Sequence, residues 1–258
     1  MKLLCIGHAC LDIIFAVDEY PREDSKIIAG SRLVSGGGPA ANAAALLAFW
    51  GADCGFAGPV GDDEFGPLVA AGLRRFGVDL SALTVLQGYP TPVSAVIVNR
   101  GPGRRTIVNH RETADLYRLP PLPDLAYPAL LLFDGHALSA SLEAMERFPR
   151  AVTLLDAGSL RDSTWELAAK VDYLVASEAF ASAVLGRPLA GYREEGAALE
   201  LLWKRNGGCA VITLGERGGI WARGEERGRY EPHAAQAVDT TAAGDIFHGA
   251  FAYGLLQK

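Results

Sequence analysis

The sequence predicts an α/β fold with a mainly parallel sheet. Short apolar runs recur along the chain, amphipathic stretches separate them, and two other stretches alternate apolar with polar residues. Runs that are apolar throughout suit strands buried on both faces, as strands in a helix-covered parallel sheet are. The runs are Leu3 to Ile6, Leu130 to Phe133, Val152 to Leu155, Tyr173 to Val175 and Ala210 to Leu214. Between them, Ala43 to Trp50, Pro67 to Phe76, Leu142 to Phe148 and Glu194 to Arg205 repeat apolar residues at intervals of three and four, as one face of a helix does. Parallel strands need crossover connections, and these helices supply them.

The alternating stretches are Ile13 to Val34 and Val93 to His110, and they read as half-exposed strands. In the second, Val93 to Val98 and Thr106 to Val108 flank Gly101-Pro-Gly103, a hairpin turn signal. A small antiparallel sheet carried on the α/β body suits a lid, spanning residues 12–35 and 92–111, or a dimer contact where its open face is apolar. No repeat, low-complexity tract or linker interrupts the chain, so one domain spanning 1–258 with the lid inserted in it is expected.

The net charge of -6 provides no long-range attraction to nucleic acid or anionic lipid. The densest basic stretch, Arg100 to Arg111, surrounds Gly and Pro and reads as a solvated turn. Neither nucleic acid nor a membrane is expected as a partner. Cys5, Cys10, Cys54 and Cys209 lack zinc-ligand spacing and lie in or beside apolar runs, so they are expected as reduced core residues of a cytoplasmic protein. The apolar start is broken by Gly7, His8 and Asp12, too soon for a secretory signal, and no later run is long enough to span a bilayer.

Asp239-Thr-Thr-Ala-Ala-Gly-Asp245 is a small-residue turn opening a helix. A helix N-terminus binds anions through free N–H groups and its dipole, so Ala242, Ala243 and Gly244 are candidate amide donors. Asp245 beside such an anion could take the proton of a substrate hydroxyl, or it could only stabilise the helix start. Ser35-Gly-Gly-Gly-Pro-Ala-Ala-Asn42 likewise precedes a helix and allows close backbone approach to a ligand. Read as Gly36-x-Gly38-x-x-Ala41 it also fits a relaxed dinucleotide fingerprint, the basis of a competing dehydrogenase reading. That fingerprint should follow the first buried strand directly, and here lid-like residues intervene. A Walker A loop is absent.

These segments together resemble the PfkB, or ribokinase-like, carbohydrate kinases. Gly37-Gly38 to Asn42, Gly58-Pro-Val-Gly-Asp-Asp-Glu-Phe-Gly66, Ile212-Thr-Leu-Gly215 and Asp239 to Asp245 recur in that family's order across essentially the whole chain. Leu11-Asp12, Val17 to Ser25 and Gly103-Arg-Arg-Thr-Ile-Val108 are similar to the ketohexokinase branch. Gly36-Gly-Gly-Pro-Ala40, Ala176-Ser-Glu178 and Asp239-Thr-Thr241 with Phe247-His-Gly249 are similar to bacterial sulfofructose kinases.

The resemblance implies ATP-dependent phosphorylation of a sugar, most closely a ketose, and the lid suggests a homodimer joined through it. Asp245 would be the base, and Asp12, Asp24, Gly37, Gly38 and Asn42 would hold the sugar. Thr213 and Gly215 would line the nucleotide site, with Glu178 a weaker candidate near magnesium and phosphate. Asp239 and Thr241 would help hold a monovalent cation such as K+. Two departures bear on the sugar. Pro39 stands where ketohexokinases usually have Asn, and His136 stands where they place an Arg, as a substrate contact or a structural residue. Family members continue past the position of Lys258 with helices and a loop over adenine. A sugar-binding protein without useful turnover is the competing reading from another class.

Overall fold

A computed structural model describes residues 2–101, 104–113, 117–122, 127–234 and 240–257. Its main sheet contains β1 (Leu3–Ile6), β4 (Cys54–Gly61), β5 (Leu83–Leu86), β8 (Leu130–Phe133), β9 (Val152–Ala157), β10 (Tyr173–Ser177), β11 (Cys209–Thr213), β12 (Gly219–Arg223) and β13 (Glu226–Tyr230). The strand order is β13-β12-β11-β10-β9-β8-β1-β4-β5. Pairing is parallel from β11 through to β5 and antiparallel in the β11–β12–β13 corner.

Strand alternation divides the core between the two faces of this sheet. Leu4, Ile6, Leu131 and Phe133 enter one apolar cluster, and Leu3, Cys5, Leu130 and Leu132 enter the other. Burial on both faces accounts for the unbroken apolar runs. The first cluster packs under α3 (Leu138–Arg147), α4 (Asp162–Ala168), α5 (Glu178–Leu185) and α6 (Tyr192–Asn206). The second packs under α1 (Pro39–Phe49), α2 (Gly66–Arg75) and α7 (Ala243–Leu256).

The helix expected from Ala43 begins four residues earlier, at Pro39, because proline is well suited to the first position of a helix. Gly38 precedes it at φ 102, and a Cβ there would lie 2.4 Å from the His8 carbonyl oxygen. β4 is a buried strand that the expected set lacks, since Gly55, Gly58, Pro59 and Gly61 read as turn residues. Close packing explains the glycines: a Cβ on Gly58 would meet the Gly7 carbonyl at 2.4 Å, and one on Gly61 the Tyr89 carbonyl at 2.1 Å.

The small sheet is formed by β2 (Cys10–Val17), β3 (Ser31–Gly37), β6 (Val93–Asn99) and β7 (Arg105–His110), in the order β3-β2-β6-β7. Two antiparallel pairs, β2–β3 and β6–β7, are joined by the parallel pair β2–β6. Pro102 and Gly103 of the expected β6–β7 turn lie outside the described residues.

Candidate active site

The site forms where the N-termini of α1 and α7 meet above the carboxyl ends of the central strands. Small residues bring these helices together. Gly249 of α7 is so close to α1 that a Cβ on it would lie 3.2 Å from the Ala43 Cα, and α1 is mostly alanine. One residue before Ala43, Asn42 donates from Nδ2 to Asp245 Oδ2 at 2.7 Å. Two segments 203 residues apart in sequence are thereby joined through their predicted site residues.

Ala242 caps α7 in the left-handed conformation at φ 59, which turns the chain sharply into the helix. Gly244 and Asp245 lie in the first turn, where N–H groups have no acceptor within the helix. The Ala243 amide, by contrast, faces the Thr240 carbonyl at 3.3 Å. Burial raises the Asp245 pKa above the ordinary carboxylate value, and the Asn42 hydrogen bond pulls it back down.

Two further carboxylates brace this arrangement. Asp134, just after β8, is buried and accepts backbone N–H bonds from His8 (2.8 Å), Ala40 (3.1 Å) and His136 (2.9 Å). It thus ties the end of β1, the start of α1 and the end of β8 to one point. Asp156 in β9 is buried beside His248 of α7, with Oδ2 3.1 Å from Nδ1. The same Nδ1 is 2.6 Å from the Gly244 carbonyl oxygen, and Nε2 is 3.1 Å from that of Val175. Burial pushes Asp156 up to about 7, and the His248 charge opposes that shift.

Asp12 lies in β2, where its carboxylate accepts a bond from Cys10 Sγ at 3.3 Å. A Cβ on Gly37 would sit 2.3 Å from Asp12 Oδ2, so the glycine makes room for the acid. Asp24 occupies an exposed segment at φ 57, and no hydrogen bond or ion pair among the described residues joins it to Asp245 or Asn42. His136 stacks on His8 with ring centroids 4.7 Å apart and accepts a hydrogen bond from Arg111. Gly36 and Gly37 lie in β3, so the glycine turn does not follow the first buried strand as a dinucleotide fingerprint should.

Across β9, Thr213 ends β11, with Oγ1 3.4 Å from the Ala176 carbonyl oxygen, and Gly215 opens an exposed turn at φ 59. Glu178 begins α5 and pairs with Arg217 at 2.6 Å, while Arg217 also binds the buried Glu195 at 2.5 Å. Thr241 is half-buried in the turn before α7, and Asp239 lies outside the described residues. No group of three or more His, Cys, Asp or Glu among the described residues is arranged to hold a metal ion.

Sequence reasoning overlooked Asp134, Asp156, His248, Arg111 and Arg161. For the two aspartates a signal was present, since each ends an apolar strand run at the edge where α/β sheets bind ligands. His248 lay within the Phe247-His-Gly249 resemblance, but its anchoring role was not legible because its partners lie on β9 and β10.

The whole sequence, residues 1–258, matches the profile of the pfkB family carbohydrate kinases. Mouse (Mus musculus) ketohexokinase is 38% identical over a segment spanning 42% of this chain and 36% of that protein. Fructokinase-1 of Oryza sativa subsp. japonica is 29% identical, across 86% of this chain and 74% of its own. Deoxyribokinase of Salmonella typhimurium is 24% identical, across 100% and 87%. Among solved structures, one from Agrobacterium tumefaciens superposes with a TM-score of 0.89 at 28% identity, covering 99% of this chain and 84% of that one. Arabidopsis thaliana ribokinase, solved with ribose and ATP, superposes with a TM-score of 0.81 at 25% identity, covering 99% and 86%. With the family profile matched from end to end and the ribokinase-like fold in place, the chain belongs to the pfkB family of carbohydrate kinases.

Proposed function

We propose that the protein transfers the γ-phosphoryl group of ATP to a hydroxyl of a ketose, with Asp245 as general base. The observation that carries this reading is the 2.7 Å hydrogen bond from Asn42, which orients Asp245 through Oδ2 and leaves Oδ1 to accept a substrate proton. As that proton passes to Asp245, the sugar oxygen bonds to the γ-phosphorus, the bond to the β-phosphate oxygen breaks, and ADP leaves. The first-turn amides of α7, with Gly244 foremost, face the charge that builds up on the transferred group.

Asp12, Gly37, Gly38 and Asn42 bound the sugar position, and Thr213 and Gly215 the nucleotide position. Asp24 is proposed as a sugar contact once its exposed segment meets a ligand or a second copy. Magnesium would supply charge neutralisation at the phosphates. Such a metal would be held largely by phosphate and water, with few protein carboxylates. Glu178 would act there in its pairing with Arg217. Thr241, with Asp239, is the proposed monovalent cation position.

Ketohexokinase and fructokinase among the relatives favour a ketose, while deoxyribokinase and ribokinase keep aldoses in contention. Four free, buried cysteines and the use of ATP favour a cytoplasmic setting, and no helix among the described residues is long and apolar enough to cross a membrane. A homodimer joined through the small sheet completes the reading.

The test is Asp245→Asn, assayed for ADP release with a sugar panel. Sugar binding should persist while kcat falls about 100- to 10,000-fold, the range for loss of a general base. A kcat near that of the unmodified protein would remove Asp245 from this role. Binding without turnover in the unmodified protein would favour the sugar-binding alternative.

A further inference from the structure

We propose, resting on the kinase reading above, that the cavity walled by His8, Tyr89, Arg111, His136 and Arg161 receives an oxyanion carried by the acceptor, so that the preferred substrate is an anionic ketose. The cavity holds about 430 Å³ and opens at the carboxyl ends of β1, β4 and β8, roofed by Arg111 just after β7.

Its position assigns it to the acceptor rather than to the nucleotide. Thr213 and Gly215 follow β11, which in the sheet order lies on the far side of β9 and β10 from β8, β1 and β4. Asp245 rises from a helix that packs on β8 and β9, between the two regions. Asp134 Oδ2 links the cavity to the proposed sugar position: it binds the amide of His8 in the cavity wall and that of Ala40, two residues before Asn42.

The cavity's two guanidiniums lack an ion-pair partner in contact. Among the described residues, neither Arg111 nor Arg161 forms a salt bridge. Arg161 donates to the Asp134 carbonyl at 2.8 Å and to Ser159 Oγ at 3.0 Å, but its buried Nε has no partner. His8 Nε2 is likewise buried without a partner. Burial pushes His8 and His136 down to about 3, and the guanidiniums of Arg111 and Arg161 add to that depression in both rings. Two guanidiniums and two imidazoles held neutral beside them are what an oxyanion would relieve. The opposing charges are Asp134, whose oxygens are committed to three amides, the buried Asp156 of β9, which acts on Arg161 from a distance and is shared with His248, and the exposed Glu112 and Asp162 at the rim. Pro39 fits the same picture, since a sugar site with one polar group fewer gains recognition from the other end of the substrate.

The experiment measures ADP release with fructose against fructose 6-phosphate, 6-deoxy-6-sulfofructose and 2-keto-3-deoxygluconate, which differ in the presence and kind of oxyanion. At least one anionic sugar should exceed fructose about 100-fold in kcat/KM, mainly through KM, as two charge-assisted contacts allow. Arg111→Gln, at an exposed position that spares the fold, and Arg161→Gln should each lower that ratio about tenfold or more. Arg111→Lys should recover part of it. Fructose equal to or better than every anionic sugar overturns the subsite and leaves the kinase reading intact, as does a ratio unchanged in both glutamine variants. If no sugar yields ADP, thermal shifts separate the two ideas. An anionic sugar that raises the melting temperature of the unmodified protein but not of Arg111→Gln upholds the subsite and removes the kinase, and the absence of any such shift overturns the subsite too.

Discussion

Asp245 is a carboxylate whose surroundings disfavour its charge, and that sets how the activity should depend on pH. Burial raises its pKa, and the Asn42 hydrogen bond is the largest opposing influence. A base must be ionised to act, so turnover should be lost as pH falls through a value above the ordinary carboxylate range. Asn42→Ala removes a bond to the charged form, which raises the pKa further. Its kcat should fall about tenfold, the worth of one hydrogen bond to a charged group, and the acid limb of its pH–kcat profile should move to higher pH. Superimposable acid limbs would show that Asn42 does not tune Asp245. At the same scale, Gly37→Ala would place a Cβ 2.3 Å from Asp12 Oδ2 and displace that acid. The expected result is a KM for sugar raised about tenfold or more, the effect of losing hydrogen bonds at Asp12, with kcat changed less. Sequence already pointed to Asp245, Asn42 and Gly37, because small and polar residues clustered before two helices announce a ligand turn. Arg111 was legible only as part of a solvated basic turn, because nothing local reveals that it closes over His136.

Among the elements, α7 is anchored by a residue it carries in its second turn. His248 bridges the Gly244 carbonyl, Asp156 of β9 and the Val175 carbonyl of β10, so it fixes the start of the helix against two strands. Asp156 faces His248 and Asp245 from α7, Asp134 from the end of β8, and Arg161 after β9. Its folded pKa, about 7, lies above the ordinary carboxylate value. Its contribution to stability is therefore fully present below that ordinary value and is lost as pH rises through about 7. His248→Leu removes the partner 3.1 Å from Asp156 that favours its ionised form, so the variant should be destabilised by about 3 kcal/mol, and more at pH 8 than at pH 6. Urea unfolding at the two pH values checks this, and an equal loss at both would rule out the Asp156 link. Element boundaries were legible where burial is two-sided, as at Leu3–Ile6 and Leu130–Phe133, which match their apolar runs residue for residue. They were illegible in β13, whose Glu226, Arg227 and Arg229 carry no apolar pattern at the sheet edge, and in the short helices α4 and α5.

The molecule as a whole has one sheet buried on both sides and another that is not. Strand alternation puts Asp12 on one face of the small sheet and Ile13 on the other. The pairing register aligns Val34, Ile13, Ala95 and Val108 in a row across all four strands on that second face. Val34 is 46% exposed and Val108 65%, and Ile13 and Ala95 between them are only partly covered. A four-strand apolar row open to water, on the side away from Asp12, is a surface that a second copy of the chain would cover. Val108→Glu would place a charge at the β7 end of this row, within such a contact, and leave the main sheet untouched. The unmodified protein should sediment at twice 27.3 kDa and the variant at 27.3 kDa. Val108 lies on β7, which pairs with β6, and β6 pairs with the β2 strand that carries Asp12, so separating the copies should also raise the KM for sugar while the melting transition of the main body persists. A variant that remains a dimer, or an unmodified protein that is already monomeric at micromolar concentration, would show that this face meets solvent alone.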